Sequence, residues 1–204
     1  IAERTLGGEA GRGKGEAGRG EALMPAIAEC LKETGIKREE IARIVCGSGP
    51  GSFTSLRVAG SVGKGLAVGY GVDLYAVSSL LLTVTGAGPN LPPGEYLSVL
   101  DAMRGEFYGA RFTLRPDHTA VETAAMVLFT ADELTALSER ESSARIIGPG
   151  QPLDFQPRAK GVAPMLESIV GGSPVDLAMW EPEYGRLAEA QVRWEAEHGR
   201  SLPR

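Results

Sequence analysis

Apolar residues recur in the first part of the chain at two different periods. Leu23, Ile27 and Leu31, with Ala26 and Cys30 beside them, fall on one stripe at helical spacing. That predicts an amphipathic helix over 21–34, stopped by Gly35. Ile41–Cys46 and Val72–Val77 are short apolar runs of strand length. Between them 54–70 is predicted as helix, with Ser52 or Thr54 as its N-cap, and Ser78 or Ser79 caps a further helix through Thr85. Ile1–Leu6 reads as the tail of a strand, and 7–20 as a flexible stretch rich in glycine and arginine.

Proline and glycine crowd into 86–94, which reads as a linker and places a domain boundary there. The expected units are 1–88 and 95–204. Beyond the linker, Tyr96–Leu100, Glu106–Leu114 and Ala120–Leu128 read as three strands, the first pair joined by a glycine-containing hairpin turn over 101–105. Thr130 followed by Glu133 is a capping-box pattern that opens a short helix. Ile146-Ile147 runs into the tight turn Gly148-Pro149-Gly150, and two more helices are predicted over 163–170 and 182–198. Strand–helix alternation followed by an antiparallel meander predicts an α/β chain of two related lobes.

Composition narrows the function classes. The chain of 204 residues is 43% hydrophobic, enough for a buried core. Its net charge of −5, from 21 basic against 26 acidic residues, argues against an autonomous nucleic-acid binder. Cys30 and Cys46 read as buried thiols rather than a disulfide or half a metal site. No apolar run approaches the roughly 18 residues that span a bilayer, and no signal peptide opens the chain, so a cytoplasmic location is expected.

Candidate chemistry is sparse. His118 and His198 are the only histidines and form no ligand-spaced pair, so neither a protein-built metal site nor a Ser-His-Asp triad is expected. Asp101, in the hairpin turn with Arg104 and Glu106, reads as a turn-former bonded to its own backbone. The chemical signal that stands out is Gly47-Ser48-Gly49-Pro50-Gly51-Ser52, a glycine-rich turn ahead of a helix. Successive N–H groups there form an anion-binding nest, which makes Gly49, Gly51 and Ser52 anion-binding candidates. The turn lacks both the Gly-Lys-Ser/Thr ending of a P-loop and the Gly-x-Gly-x-x-Gly spacing of a dinucleotide site. On the residues alone, phosphate binding and a structural turn stand even.

The helix after the turn is too poor in bulk for its propensity. Each interior glycine costs up to ~1 kcal/mol relative to alanine. Close approach of another helix or backbone is the natural compensation. Leu56, Ala59, Gly60, Gly63, Leu66 and Ala67 would make a flat, tightly packed face, either for a partner or for the chain's own sheet.

The run Gly49-Pro-Gly-Ser-Phe-Thr-Ser-Leu-Arg57, continuing to Lys64-Gly-Leu-Ala67, closely resembles the signature of the TsaB/YeaZ family. The match extends to Gly20-Glu-Ala-Leu-Met-Pro-Ala-Ile27, Ser78-Ser79-Leu80, Asp101-Ala-Met-Arg-Gly-Glu-Phe-Tyr108 and Tyr184-Gly-Arg-Leu-Ala-Glu-Ala-Gln191, in the right order. The resemblance implies an actin-like (ribonuclease H-like) two-lobed fold. It further implies a non-catalytic relative of TsaD that works with a TsaD-like catalytic subunit and a TsaE-like ATPase. That assembly makes N6-threonylcarbamoyladenosine at position 37 of tRNAs reading ANN codons, so tRNA is expected to be met only indirectly.

In that family the helices equivalent to 21–34 and 54–70 form the TsaD-binding or self-dimerising bundle. Leu23, Ile27 and Leu31 therefore join the six small-face residues as expected interface positions. No catalytic residue, metal or cofactor is expected. Arg19-Gly-Glu-Ala-Leu stands where the catalytic relative carries metal-binding histidines. Ser55 replaces a usual glycine. The family's opening hairpin has no counterpart before Ile1, so the first lobe is expected to be truncated, as in an incomplete gene product. The competing reading is an ATP-dependent carbamoyl or phosphoryl transferase built on the 47–52 turn. A peptidase reading has no nucleophile–base pair behind it.

Overall fold

The computed structural model describes residues 2–6, 19–140, 145–184 and 198–199. In chain order these form α1 (Arg19–Thr34), β1 (Arg43–Gly49), α2 (Phe53–Tyr70), β2 (Asp73–Ser78), α3 (Ser79–Ala87), β3 (Gly94–Asp101), β4 (Glu106–Leu114), β5 (Ala120–Thr130), α4 (Ala131–Arg140), β6 (Arg145–Ile147) and α5 (Leu166–Val170). Two sheets result. β1 and β2 pair in parallel, Arg43 opposite Asp73 through Gly47 opposite Val77, with α2 as the crossover between them. The second sheet has the order β5-β4-β3-β6, antiparallel except for β6, which lies parallel to β3.

The two faces of β3 explain how the second sheet is covered. Tyr96 and Leu100 share a core with Leu80, Val84 and Ala87 of α3 and with Ala110, Phe112 and Leu114 of β4. Leu97 and Val99 point the other way, onto Leu134 of α4, with Phe107, Phe129 and Leu137 around them. A strand covered on both faces loses the polar alternation of a half-exposed one, and 96–100 is buried throughout. Ser98 is the polar exception, and its hydroxyl donates to the Leu80 carbonyl at 2.8 Å.

α3 touches β1, β2, β3, β4 and β5. Its N-cap is Ser78, whose Oγ accepts from the N–H groups of Leu80 (3.2 Å) and Leu81 (3.5 Å). Ser78→Ala is expected to cost about 1 kcal/mol of unfolding free energy in a denaturant titration.

Several expectations change in detail. Residues 2–6 take no strand partner. Instead Arg4 pairs with Glu29 and Glu33 of α1, and Glu3 pairs with Arg158 and accepts from the Lys160 N–H. The predicted linker begins while α3 is still running, to Ala87, followed by a single 3-10 turn at Gly88–Asn90. Pro164 breaks the predicted 163–170 helix into a 3-10 stretch (Ala159–Met165) and the short α5. Of the predicted helix over 182–198, residues 182–184 are not helical and His198 is, while 185–197 lie outside the described residues, as does the flexible stretch from 7 to 18.

The capping box at α4 forms as predicted. Glu133 accepts from the Thr130 N–H (2.8 Å) and hydroxyl (2.9 Å), and its own N–H donates to Thr130 Oγ1 (3.2 Å). These bonds hold the Glu133 carboxyl below the usual range. A depressed folded value stabilises above the unfolded value, about 4.3, and the contribution is lost as pH falls through the folded one. The melting temperature of the native chain is therefore expected to fall more steeply than that of Glu133→Gln as pH drops below about 4.

Candidate partner surface and glycine turn

The glycine turn is held from two sides. β1 delivers it at Gly47–Gly49, and Ser52 opens α2 without a side-chain cap bond. Over the top runs the extended segment 180–184, where the Glu183 N–H donates to the Ser48 carbonyl at 2.6 Å. Gly49 sits at φ +106, and a Cβ there would overlap the Glu183 carbonyl oxygen, with Leu56 Cδ1 3.1 Å away. A carbonyl oxygen seated on the turn presents negative partial charge where a phosphate would need positive. Gly49 is buried, Gly51 half-buried and Ser52 exposed, so the three anion candidates share one turn whose inner side the chain itself occupies.

Beside the turn, the Phe53 and Tyr184 rings meet at 4.6 Å, and the Arg57 guanidinium lies 5.1 Å over Phe53. The small-residue side of α2 turns inward. Ala67 is buried with Cys46 and Leu74, and Ala59, Ile44, Val175, Leu177 and Trp180 pack around them. A Cβ on Gly63 would stand 3.5 Å from Cys46 Cβ and Sγ and from Leu74 Cδ1. A Cβ on Gly60 would stand 3.1 Å from Pro182 Cγ and 3.6 Å from Trp180 Cζ3. Burial also pushes the Cys46 thiol up, as befits a small apolar residue.

Of the two occupants expected for this face, the chain itself meets the greater part. Leu56, Gly60, Gly63 and Ala67 are buried in their own chain and Ala59 is half-buried against the same core, so this side docks on β1, β2 and the 175–182 segment. The physical reason is close approach, since Cys46, Leu74, Trp180 and Pro182 lie within contact of where Cβ atoms on Gly60 and Gly63 would stand. Leu66 is half-buried. Leu23, Ile27 and Leu31 are also half-buried, on the helix that packs against α2.

The opposite side of α2 is what helix-wheel reasoning about bulk missed. Arg57, Ser61, Gly65, Val68 and Gly69 are exposed, with Ser61, Gly65 and Gly69 four apart on one ridge. Nothing among the described residues lies within 4 Å of a Cβ built on Gly65 or Gly69. Val68 is 70% exposed, and Met24 of α1 is 47% exposed. The spacing was visible in the sequence, but which of two small ridges faces inward is decided by register against the sheet.

Elsewhere the chemistry is local. Asp101 Oδ1 accepts from the Met103 N–H at 2.7 Å, the turn-former expected of it, while Met103, Arg104 and Gly105 all take positive φ. His118 sits in the β4–β5 turn, its buried Nδ1 without a hydrogen-bond partner among the described residues. Among the described residues no three His, Cys, Asp or Glu gather as a metal site, and no helix is long and apolar enough to cross a membrane.

A family model described as "TsaD: tRNA N6-adenosine threonylcarbamoyltransferase" matches residues 18–156. The chain belongs to the TsaD family. Its relatives place it on the TsaB/YeaZ side of that family. The Bacillus subtilis (strain 168) protein named tRNA threonylcarbamoyladenosine biosynthesis protein TsaB is 26% identical over 195 residues, covering 84% of this chain and 81% of that one. The Escherichia coli (strain K12) protein of the same name is 31% identical over 90 residues, 44% of this chain and 39% of its own.

Among solved structures, YeaZ from Pseudomonas aeruginosa superposes with a TM-score of 0.64 at 20% identity, over 80% of this chain and 83% of that one. A second, a protein with similarity to peptidase YEAZ from Pseudomonas aeruginosa, gives 0.67 at 20% identity, over 80% and 82%. The chain therefore shares the α/β fold of these YeaZ structures.

Proposed function

We propose that this TsaB/YeaZ chain is a scaffold subunit in the formation of N6-threonylcarbamoyladenosine on tRNA. It has no active site of its own and serves by binding a TsaD-family catalytic subunit. The observation that carries this reading is the pair of exposed glycines on α2. A Cβ on Gly60 or Gly63 would meet Pro182 at 3.1 Å or Cys46 and Leu74 at 3.5 Å inside the chain, whereas Gly65 and Gly69 meet nothing among the described residues. Each lowers helix stability by up to ~1 kcal/mol relative to alanine. A second helix laid closely along the Ser61–Gly65–Gly69 ridge, flanked by Val68 and α1, supplies the compensation. The names of the relatives support the pathway.

The partner surface is thus assigned to the outward ridge of α2 together with α1, in place of the buried Gly60–Gly63 side. A TsaE-like ATPase and a second copy of this chain are further partners in this reading, and tRNA is held by the assembly rather than by this subunit. The two units over 1–88 and 95–204 would divide the work, the first carrying the partner helices. The competing transferase reading needs an open anion nest at Gly49, Gly51 and Ser52, and at Gly49 the Glu183 carbonyl oxygen already lies against the Cα.

Size-exclusion chromatography and calorimetry with a purified TsaD-family subunit test the proposal. A stable complex is expected, with no heat of binding when ATP is titrated into this chain alone. Failure to form any complex with that subunit would sink the scaffold reading.

A further inference from the structure

We infer that the extended segment 175–184 sets the position of α2 beneath its partner-facing ridge, which makes Trp180 and Pro182 positioning residues for that surface. The inference rests on the outward-ridge reading and adds what supports it from below. Strands lie about 4.8 Å apart, while a helix with its side chains is about 10 Å across. A platform of β1 and β2 alone therefore leaves part of α2 overhanging.

The segment fills that gap. It is anchored on β2 by the Val175 N–H to the Leu74 carbonyl at 2.9 Å and on β1 by the Glu183 N–H to the Ser48 carbonyl at 2.6 Å. Between the anchors a turn closes on Asp176, whose carbonyl accepts from the Trp180 N–H at 2.7 Å and whose Oδ1 accepts from the Ala178 N–H at 2.8 Å. The turn brings the Trp180 ring and Pro182 against Gly60, and the Lys64 ammonium lies 5.8 Å over that ring.

Gly60 and Lys64 are the immediate neighbours of Ser61 and Gly65 on the ridge. A bulky side chain at position 60 would press on Pro182 and Trp180 and is expected to lift the helix off this footing and move the ridge with it. Small shifts of a packed helix change an interface discretely, because neither side deforms smoothly.

The experiment measures affinity for the TsaD-family subunit by calorimetry, using the full chain and its variants Gly60→Leu, Trp180→Ala and Gly65→Leu. Circular dichroism and melting confirm at each step that the protein is folded at the titration temperature. Trp180→Phe and Gly60→Ala serve as milder forms should the larger changes prevent folding. Gly65→Leu is expected to abolish binding directly. Folded Gly60 and Trp180 variants are expected to weaken it by about fivefold or more, with Trp180→Phe recovering most of the loss. Full affinity in the folded Gly60 and Trp180 variants, with Gly65→Leu still inactive, overturns this inference and leaves the outward-ridge reading standing. If Gly65→Leu binds as tightly as the native chain, the ridge reading itself is wrong and the inference falls with it.

Discussion

Replacing Gly65 by leucine is expected to raise the stability of the isolated chain while removing its ability to bind a TsaD-family subunit. The two effects have opposite sign because they act on different sides of one residue. In the free chain the position is open, with nothing among the described residues within 4 Å of a Cβ. Leucine is favoured over glycine in a helix interior by roughly 0.8 kcal/mol, so urea denaturation should show a gain of that order. In the complex, a partner backbone packed along Ser61, Gly65 and Gly69 has no room for an isobutyl group, and a loss of at least about tenfold in affinity is expected. A variant that is more stable and binds as well as the native chain would show that the ridge is merely solvent-facing. Gly63→Leu cannot serve for this test, since a Cβ there already touches Cys46 and Leu74 at 3.5 Å and the rest of the isobutyl group would be driven into the core.

The second large effect lies in the other sheet. Gly148→Ala is expected to lower unfolding free energy by about 3 kcal/mol or more, read as an early midpoint in a denaturant titration. A Cβ at this position would overlap the carbonyl oxygen of Val99, with Val99 Cγ2 3.1 Å away. Val99 cannot retreat, because β3 is hydrogen-bonded to β4 and flanked by β6 and is buried on both faces. Gly150→Ala is the matched control. It lies in the same turn, has open space around it and φ +70, and so carries only the backbone penalty of about 1 kcal/mol. Equal losses for the two would remove the steric argument.

Much of this architecture is legible in local pattern. The amphipathic stripe of α1, the apolar runs of β1 and β2, the meander of β3 to β5 and the Thr130–Glu133 box all rest on neighbours a few residues apart, and local chemistry determines them. What local pattern does not contain is which of two small ridges on α2 faces home. Gly60–Gly63–Ala67 and Ser61–Gly65–Gly69 are nearly equivalent in composition, and packing against Cys46 and Leu74 of the sheet and against Trp180 and Pro182, more than a hundred residues further along the chain, decides between them. The same long-range contact seats Glu183 on the glycine turn, which by sequence stood even between anion nest and structural bend. The motif match placed the chain in its family because it spans several separated segments. It could not assign inward and outward positions, since a match of residues carries nothing about what packs on each side of the helix.

α3 touches both sheets, and that contact governs how the molecule comes apart. Leu80, Val84 and Ala87 lie in the larger sheet's core, while the residue that caps the helix is the last one of β2. A chain severed after Ala87 would strand those side chains on the smaller fragment and bare the hydrophobic underside of Tyr96 and Phe112 on the larger. Neither piece is expected to stay in solution alone. Heating should therefore melt the two halves together, in a single calorimetric peak, despite the proline-rich crossing between them.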